Sequence, residues 1–208
     1  MRIGIVGSGH VGGTLARLFS GAGHEVAVAN SRGPDTLRRF AKEVGGQVRP
    51  ATVEEAARFG EVVVVSVPVG RYGELPAAPM AGKTVIDTGN YYPERDGNDP
   101  DLDQDRTTSS ELLQHHLPEA SVVKAFNTMR WEHLGEYGRQ SSAQRRYGIP
   151  VSGDDVAAKR RVFDLIEQVG FEPVDAGRLA EGRRHQPGTP VYLADLSGAE
   201  LHSRLGAP

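Results

Sequence analysis

The stretch GIVGSGHVGG, from Gly4 to Gly13, decides the fold class of this chain. Its glycines at positions 7, 9 and 12 form the pattern GxGxxG, which follows the apolar run Arg2–Val6 and opens the helix-like segment Val11–Ala22. A glycine-rich turn between a strand and a helix is typical of a dinucleotide-binding unit, because the amides of the helix N-terminus then face a diphosphate. Taken without its neighbours, the same pattern is an ordinary turn.

Apolar runs alternate with helix-like segments along the rest of the chain. The runs are RIGIV, EVAVA, EVVVVSV, TVIDT, SVVKAF, IPVS and FEPVD. The helix-like segments are Val11–Ala22, Thr36–Val44, Val53–Phe59 and Asp155–Val169. Continuous Val and Ile runs indicate strands that are buried on both faces of a sheet. The sequence therefore predicts an α/β, Rossmann-type, doubly wound fold with a mainly parallel sheet.

The domain organisation follows from length and from two polar segments. A chain of 208 residues can bury one full hydrophobic core, so we expect a single domain with a short C-terminal tail. The segment Glu181–Pro190, EGRRHQPGTP, has the composition of a linker. We therefore expect a Rossmann domain over 1–180 and a linker and tail over 181–208. The Asp-, Pro- and Gly-rich stretch 90–108 is expected to be a long surface loop. Whether this loop acts as a lid is a question that the sequence does not decide.

Composition narrows the class of partner. The formal charge is -3, and the charged residues, 25% of the chain, are interspersed rather than grouped. No basic face for nucleic acid and no apolar run of membrane length is evident, so we expect a small-molecule partner, no nucleic acid and no membrane. The absence of cysteine fits a cytoplasmic protein and excludes thiolate chemistry. A homodimer is left open, and no metal site is expected.

Three residues at the end of the second apolar run indicate the cofactor. In NAD-binding versions of this fold a carboxylate near this point binds the adenine ribose hydroxyls. Here the residues are Asn30, Ser31 and Arg32, and the first acid is Asp35. An amide, a hydroxyl and a guanidinium can bind a 2′-phosphate, which a carboxylate would repel, so the sequence favours NADP over NAD. The alternative is that Arg32 is a solvated residue of a turn.

The phosphate loop supplies the first group of candidate cofactor-binding residues. Gly7 allows the tight turn, Gly9 lets the phosphates approach the backbone, and Gly12 lets helix and strand pack closely. The complete group is Gly7, Ser8, Gly9, His10, Val11 and Gly12. We expect His10 to have a binding or structural role rather than a catalytic one.

The chain resembles a known family in several stretches that occur in the same order. They are MRIGIVGSGHVGGTLARLFSGAGHEV, NSRG, VVVVSVP, VVKAFNT, VSGDD and PVDAGRL, which together reach from residue 1 to about 179. This set resembles the coenzyme F-420-dependent NADP oxidoreductases, which are related to the NADP domains of pyrroline-5-carboxylate reductases and of membrane ferric reductases. The resemblance implies hydride transfer between NADP and a flat tricyclic acceptor. The polar closing segment departs from the family's apolar C-terminal helix, so the NADP use carries over better than the second substrate.

Further candidate residues follow the strand ends, where ligands of doubly wound sheets bind. The resemblance implies that Val67 and Pro68 line the cofactor and that Ala125 to Thr128 approach the nicotinamide. The candidates are Ser66, Val67, Pro68, Ala125, Asn127 and Thr128. A strand end and a turn are the alternative for Val67 and Pro68, and an ordinary loop cap is the alternative for Asn127. Tyr91 and Tyr92 are candidate substrate-binding residues that stack on a planar acceptor, or else they pin the long loop to the body of the protein.

These observations predict an NADP-dependent oxidoreductase whose partner is a flavin-like or deazaflavin acceptor. No catalytic acid or base is expected, because the cofactor carries the chemistry and the protein aligns the two ligands. The rival hypothesis is a protein that binds or senses NADP(H) without turning it over. An imine or carbonyl reductase is less favoured, since those relatives carry a large helical domain that this chain lacks.

Overall fold

The computed structural model describes residues 1–138 and 146–206, and within them eight strands form one sheet. The strands are β1 Arg2–Val6, β2 Glu25–Ala29, β3 Val48–Ala51, β4 Val62–Val65, β5 Thr84–Asp87, β6 Ser121–Lys124, β7 Gly148–Gly153 and β8 Glu172–Gly177. Their order in the sheet is β3-β2-β1-β4-β5-β6-β7-β8. Strands β1 to β6 are parallel, whereas β7 is antiparallel to β6 and parallel to β8. The mainly parallel, doubly wound sheet is confirmed.

Helices cover both faces of this sheet. The α-helices of the described residues are α1 His10–Gly21, α2 Arg38–Val44, α3 Val53–Phe59, α4 Pro93–Asp96, α5 Pro100–Asp103, α6 Ser109–His116, α7 Trp131–Tyr137, α8 Val156–Gln168 and α9 Gly198–Gly206. Short 3-10 helices span Pro34–Leu37, Val69–Glu74, Ala78–Met80 and Leu179–His185. Within the described ranges, no helix combines the length and the apolar character that crossing a membrane requires.

Alternate side chains of the central strands enter two separate cores. Val62 and Val64 of β4 pack in one cluster with Leu15 and Phe19 of α1. Val63 and Val65 of the same strand enter a second cluster on the other face. All four valines are fully buried, which explains why β4 is a continuous apolar run rather than an alternating one.

The observed boundaries lie close to the predicted ones, with one strand absent from the predicted runs. Helix α3 spans the predicted Val53–Phe59, and α8 lies within the predicted Asp155–Val169. Strand β3, with the sequence VRPA, is one of the two edge strands of the sheet and, among the described strands, pairs with β2 alone. Pro50 lacks an amide hydrogen, and an edge strand tolerates this loss. With Arg49 and Pro50 at its centre, the run does not have the composition of a typical strand, which is why the sequence did not predict it.

The polar stretch 90–108 is more ordered than the predicted surface loop. It contains the one-turn helices α4 and α5, and the Asp99 carboxylate caps α5 by accepting from two backbone amides. The Asp96 side chain is 1% exposed and accepts from the amide of Tyr92. Local capping by Asp and Pro residues therefore organises a segment whose composition suggested an irregular loop.

The segment predicted as a linker, Glu181–Pro190, packs against the sheet instead. Its first part belongs to the 3-10 helix Leu179–His185, in which Gly182 and His185 are buried. A Cβ on Gly182 would lie 2.9 Å from Cδ of Lys124 in β6, so this helix covers the sheet closely. Its charged side chains stay at least partly exposed to solvent, and composition alone therefore indicated a linker. The domain boundary at residue 180 stays a prediction.

The predicted tail also contributes to the core. Helix α9 buries Leu201 and Leu205 against Val174 and Ala176 of β8. Its apolar positions lie four residues apart among polar ones, so the helix is amphipathic rather than apolar throughout.

Candidate functional site

The phosphate loop joins β1 to α1 in a conformation that two of its glycines make possible. Gly7 has φ +112°, and a Cβ there would lie 2.0 Å from the carbonyl oxygen of Ser66. A Cβ on Gly12 would lie 1.9 Å from the carbonyl oxygen of Gly7. The expected tight turn and the expected close packing of helix and strand are therefore both present.

Gly9 has a different environment from the other two glycines. It is the N-cap of α1, with φ -68° and ψ -166°, and a Cβ built on it meets no atom within 4 Å. No side chain caps the first amides of α1, and the first turn contains no acidic residue. The open space above Gly9, the unclaimed amides and the positive helix end together fit a diphosphate.

A cleft opens beside this loop, and one end of it runs past the end of β2. It has a volume of about 840 Å³. Its lining residues include Gly7, Ser8, Gly9, Asn30, Ser31, Arg32, Ser66, Val67 and Pro68. The residues predicted to bind the 2′-phosphate and the predicted phosphate loop therefore line one cavity.

Asn30 organises this end of the cleft. Its Nδ2 donates to Ser8 Oγ at 3.3 Å and to Thr36 Oγ1 at 3.0 Å, and its Oδ1 accepts from the amide of Arg32 at 2.9 Å. Asn30 thus ties the phosphate loop to the turn that carries Ser31 and Arg32. Its polar atoms are largely used by the protein, which favours a positioning role beside its predicted binding role.

Arg32 has an exposed side chain at the mouth of this cavity. In the described part of the chain, no carboxylate forms an ion pair with it. The nearby Asp35 pairs instead with Arg38, at 2.6 Å. An unpaired guanidinium beside a cavity is a suitable partner for a phosphate group.

The other end of the cleft lies beyond Gly9 and has a volume of about 440 Å³. It shares Gly9, Ser66, Val67 and Pro68 with the first end. Its other lining residues are His10, Val11, Thr88, Gly89, Asn90, Tyr92, Arg95, Phe126, Asn127, Met129, Arg130, Trp131, Tyr192 and Leu193. The two ends form one continuous cleft along the carboxyl edge of the parallel strands, where doubly wound sheets bind ligands.

The structure separates the two candidate tyrosines. Tyr92 lines the smaller end of the cleft, and its hydroxyl lies 2.5 Å from that of Tyr192. Tyr91 is not among the lining residues. Its hydroxyl donates within the long loop, to Asp103 or the carbonyl of Gly97, and accepts from the amide of Asp99. Hydrogen bonds inside the loop hold Tyr91, so its placement matches the loop-pinning alternative rather than an acceptor contact.

The three candidates after β6 also differ in position. Asn127 lines the cleft, whereas Ala125 and Thr128 are buried behind it. Thr128 uses its carbonyl oxygen to accept from the amide of Leu193 at 2.7 Å. Ala125 and Thr128 therefore support the cleft wall from behind. Neither residue lines the cleft, so their positions do not match the expected approach to the nicotinamide.

His10 and Trp131 form the outer wall of the smaller end. Their rings stack with centroids 4.6 Å apart and an interplanar angle of 18°. This contact joins the start of α1 to the start of α7. The expected binding or structural role of His10 agrees with this placement, since its ring lines the cleft beside the phosphate loop.

A buried ion pair supports the floor of the cleft. Lys124 Nζ lies 3.8 Å from Asp87 Oδ2, and both side chains are almost completely buried. Asp87 also accepts from Tyr72, Ser110 and the amide of Gly89. Burial lowers the pKa of Lys124 below its usual value, and the neighbouring Asp87 carboxylate offsets only part of this effect. Since each polar group has a partner, the network fixes Gly89 at the cleft wall.

Sequence reasoning missed several residues of the smaller end, namely Arg95, Met129, Arg130, Trp131, Tyr192 and Leu193. The first four lie within five residues of a predicted candidate, so a wider window around the strand ends would have included them. Tyr192 and Leu193 lie in the predicted tail. No sequence signal places that segment beside the loop after β5, because the contact is made only by the folded chain.

The family described as NADP oxidoreductase, coenzyme F420-dependent, matches residues 2–91. The metalloreductase STEAP3 of Rattus norvegicus is 32% identical over 184 residues, which cover 88% of this chain and 35% of the relative. This chain thus spans about a third of the length of that curated relative.

Two solved structures resemble the chain over almost their whole length. A hypothetical protein from Sinorhizobium meliloti has a TM-score of 0.79 and 30% identity, covering 95% of each chain. A candidate F420-dependent NADP reductase from Arthrobacter sp. FB24 has a TM-score of 0.75 and 30% identity, covering 88% of this chain and 87% of that one. The chain therefore belongs to the coenzyme F420-dependent NADP oxidoreductase family, as its sequence motifs predicted.

Proposed function

We propose that this chain transfers a hydride between NADP(H) and a flavin-like or deazaflavin acceptor of the coenzyme F-420 type. The observation that carries the proposal is the continuous cleft, in which the phosphate loop lies between a phosphate-selecting end and an aromatic end. Family membership supports the cofactor and the reaction class.

The larger end has the groups that NADP(H) needs. Gly7 to Gly12 would hold the diphosphate, with the amides of α1 as donors and Gly9 as the point of closest approach. Ser31 and Arg32 would contact the 2′-phosphate, and Asn30 would hold their turn in place. Ser66, Val67 and Pro68 belong to both ends, so they would lie along the middle of the dinucleotide. When bound, NADPH would donate the hydride, or NADP⁺ would accept it.

The smaller end has the character of a site for a planar ring. Tyr92, Tyr192 and the stacked pair His10 and Trp131 provide aromatic surfaces, and Met129 adds an apolar one. Aromatic and apolar walls with a few polar groups are typical of small-molecule pockets of this volume.

Two arginines line the same end and differ in their partners. Arg95 is neutralised by Asp96, with which it makes two hydrogen bonds. Arg130 is exposed and has no ion pair with a carboxylate of the described residues. A free cation at this position favours an acceptor with an anionic group or an electron-rich ring edge.

Among the described residues that line the cleft, acid and base side chains do not gather around one reacting point. Hydride transfer between two aligned rings depends mainly on proximity and on orientation. The buried network of Asp87 and Lys124 and the rigid phosphate loop supply that alignment. The chemistry therefore agrees with the residues that line the cleft.

A direct test follows the nicotinamide absorbance of NADPH during anaerobic incubation with FMN, FAD or a deazaflavin. We expect turnover with at least one of these acceptors and slower turnover when NADH replaces NADPH. Tight NADPH binding without turnover of any acceptor would support the sensing alternative. Absence of NADPH binding would contradict the proposal altogether.

A further inference from the structure

A chain of four polar side chains lies beneath the smaller end of the cleft. Asn127 Nδ2 donates to Asn90 Oδ1 at 3.0 Å and to the carbonyl oxygen of His185 at 2.7 Å. His185 Nδ1 lies 3.1 Å from Asn127 Oδ1, and His185 Nε2 lies 2.8 Å from Ser152 Oγ. Asn90 Nδ2 donates in turn to the carbonyl oxygen of Asn127 at 2.8 Å. The chain connects the 3-10 helix Leu179–His185 to two residues of the cleft wall.

The partners determine where the hydrogens lie. Two acceptors face one terminal atom of the Asn127 amide, so that atom is the nitrogen, and the other atom is the oxygen. An amide oxygen only accepts, and therefore His185 carries its hydrogen on Nδ1. Nε2 then accepts from the hydroxyl of Ser152. Each side chain has one orientation that satisfies all its partners, which makes the arrangement rigid.

His185 is suited to this role because it remains neutral. Its side chain is fully buried. Burial lowers its pKa to about 3, and the positive charges of Lys124 and Arg184 contribute to the same effect. A protonated imidazole would lose its ability to accept from Ser152, and no carboxylate of the described residues pairs with this buried position.

We propose that His185 is a positioning residue for the nicotinamide end of the cleft, where it holds Asn127, and through it Asn90, in the orientation that the cofactor meets. Asn90 and Asn127 line the cleft, whereas His185 and Ser152 lie behind them. This inference rests on the proposed function, because it requires NADP(H) to occupy the cleft. It gives the predicted linker a part in cofactor binding.

The test compares two isosteric variants and two ligands. His185→Asn keeps a donor at the place of Nδ1, and so it retains the contact with Asn127. His185→Gln keeps a polar group at the place of Nε2, so its side chain retains only the contact with Ser152, while the backbone carbonyl oxygen of residue 185 still accepts from Asn127. NADP⁺ reaches both ends of the cleft, whereas 2′,5′-ADP lacks the nicotinamide and reaches only the larger end. Ser152→Ala is the matched control, because it leaves the contact between His185 and Asn127 in place.

We expect His185→Gln to weaken NADP⁺ binding about three- to tenfold, the effect of one hydrogen bond, in calorimetric titrations. The affinity for 2′,5′-ADP should remain unchanged in this variant. We expect His185→Asn and Ser152→Ala to bind both ligands like the wild type. An equal loss of NADP⁺ affinity in the Asn and Gln variants, or no loss in either, would overturn the proposal.

A purely structural role predicts a different pattern. It would weaken 2′,5′-ADP together with NADP⁺ and lower the melting temperature in proportion. If His185→Gln fails to bind 2′,5′-ADP, the same titrations are made with His185→Leu, and loss of 2′,5′-ADP binding there would also overturn the proposal. Failure of the wild type to bind NADP⁺ would instead contradict the proposed function, so the two failures are distinguishable.

Discussion

The hydroxyl groups of Tyr92 and Tyr192 lie 2.5 Å apart and connect two segments that are 100 residues apart in the sequence. Tyr92 precedes α4 in the loop after β5, and Tyr192 lies between the 3-10 helix Leu179–His185 and α9. Burial and this hydrogen bond raise the pKa of Tyr192, so its hydroxyl stays protonated even at moderately alkaline pH. Together the two rings close the smaller end of the cleft.

This contact leads to different expectations for the three tyrosines. Replacing Tyr92 or Tyr192 by Ala should slow reduction of a flavin-like acceptor, because each removes an aromatic wall. A stacking contact of about 0.5 to 1.5 kcal/mol corresponds to a loss of roughly two- to tenfold per ring. NADPH affinity should not change. Steady-state kinetics with varied acceptor and a separate NADPH titration measure the two effects.

Tyr91→Phe is the matched control for these variants. It removes the hydroxyl that bonds within the loop but no part of the cleft wall. Its acceptor kinetics should equal those of the wild type, with a small loss of thermal stability. Unchanged kinetics in the Tyr92 and Tyr192 variants would place the acceptor elsewhere.

Arg32→Ala should remove most of the preference for NADP(H) over NAD(H). We expect the wild type to bind NADP(H) at least about tenfold more tightly, since a charge-assisted contact contributes about 1.5 to 3 kcal/mol. Arg38→Ala is the control, because Arg38 is exposed but pairs with Asp35. Calorimetry with both dinucleotides measures the ratio. A wild-type protein that binds both equally would contradict the assignment of Arg32 to the 2′-phosphate.

Gly9→Val should abolish dinucleotide binding and leave the fold intact. The backbone of Gly9 is in a region that valine also adopts, and a Cβ there meets no protein atom, so the side chain would project into the space for the diphosphate. By contrast, Gly12→Ala should destabilise the fold itself, because its Cβ would lie 1.9 Å from a backbone oxygen. Circular dichroism and NADP⁺ titration distinguish the two. Retained binding in a folded Gly9→Val variant would show that the phosphates bind elsewhere.

His185 should make the stability of the protein depend on pH. Its pKa is about 3 in the folded chain and about 6.5 in the unfolded chain, so only the unfolded state binds this proton between those values. The free energy of unfolding should therefore rise with pH across this window, with a limiting contribution of about 1.4 kcal/mol per pH unit, and stay level above it. Urea unfolding of the wild type and of His185→Asn at several pH values measures the difference. Equal slopes between pH 4 and 6 would contradict the buried neutral histidine.

The sequence alone determined the fold class, and it predicted the phosphate loop and the residues that would select NADP. These features depend on residues close together in the chain. Glycine has no Cβ and therefore permits the tight turn between a strand and a helix, as Gly7 does. A continuous valine run such as β4 is typical of a strand that is buried on both faces of a doubly wound sheet. The cluster Asn30, Ser31 and Arg32 could be predicted as a phosphate site because the three residues follow one strand.

Only the tertiary structure decided what forms the other end of the cleft. His185 lies in a polar segment whose composition is that of a linker, yet its side chain is fully buried, and Tyr192 lies in the predicted tail. His185 is buried because it covers polar groups of Ser152 and Asn127, whose hydrogen bonds must be satisfied once water is excluded. Hydrophobic patterning detects apolar surfaces that come together, and it carries no signal for a polar surface that is covered by hydrogen bonding. The division of roles between Tyr91 and Tyr92 was hidden for a related reason, since Tyr92 meets its partner, Tyr192, 100 residues further along the chain.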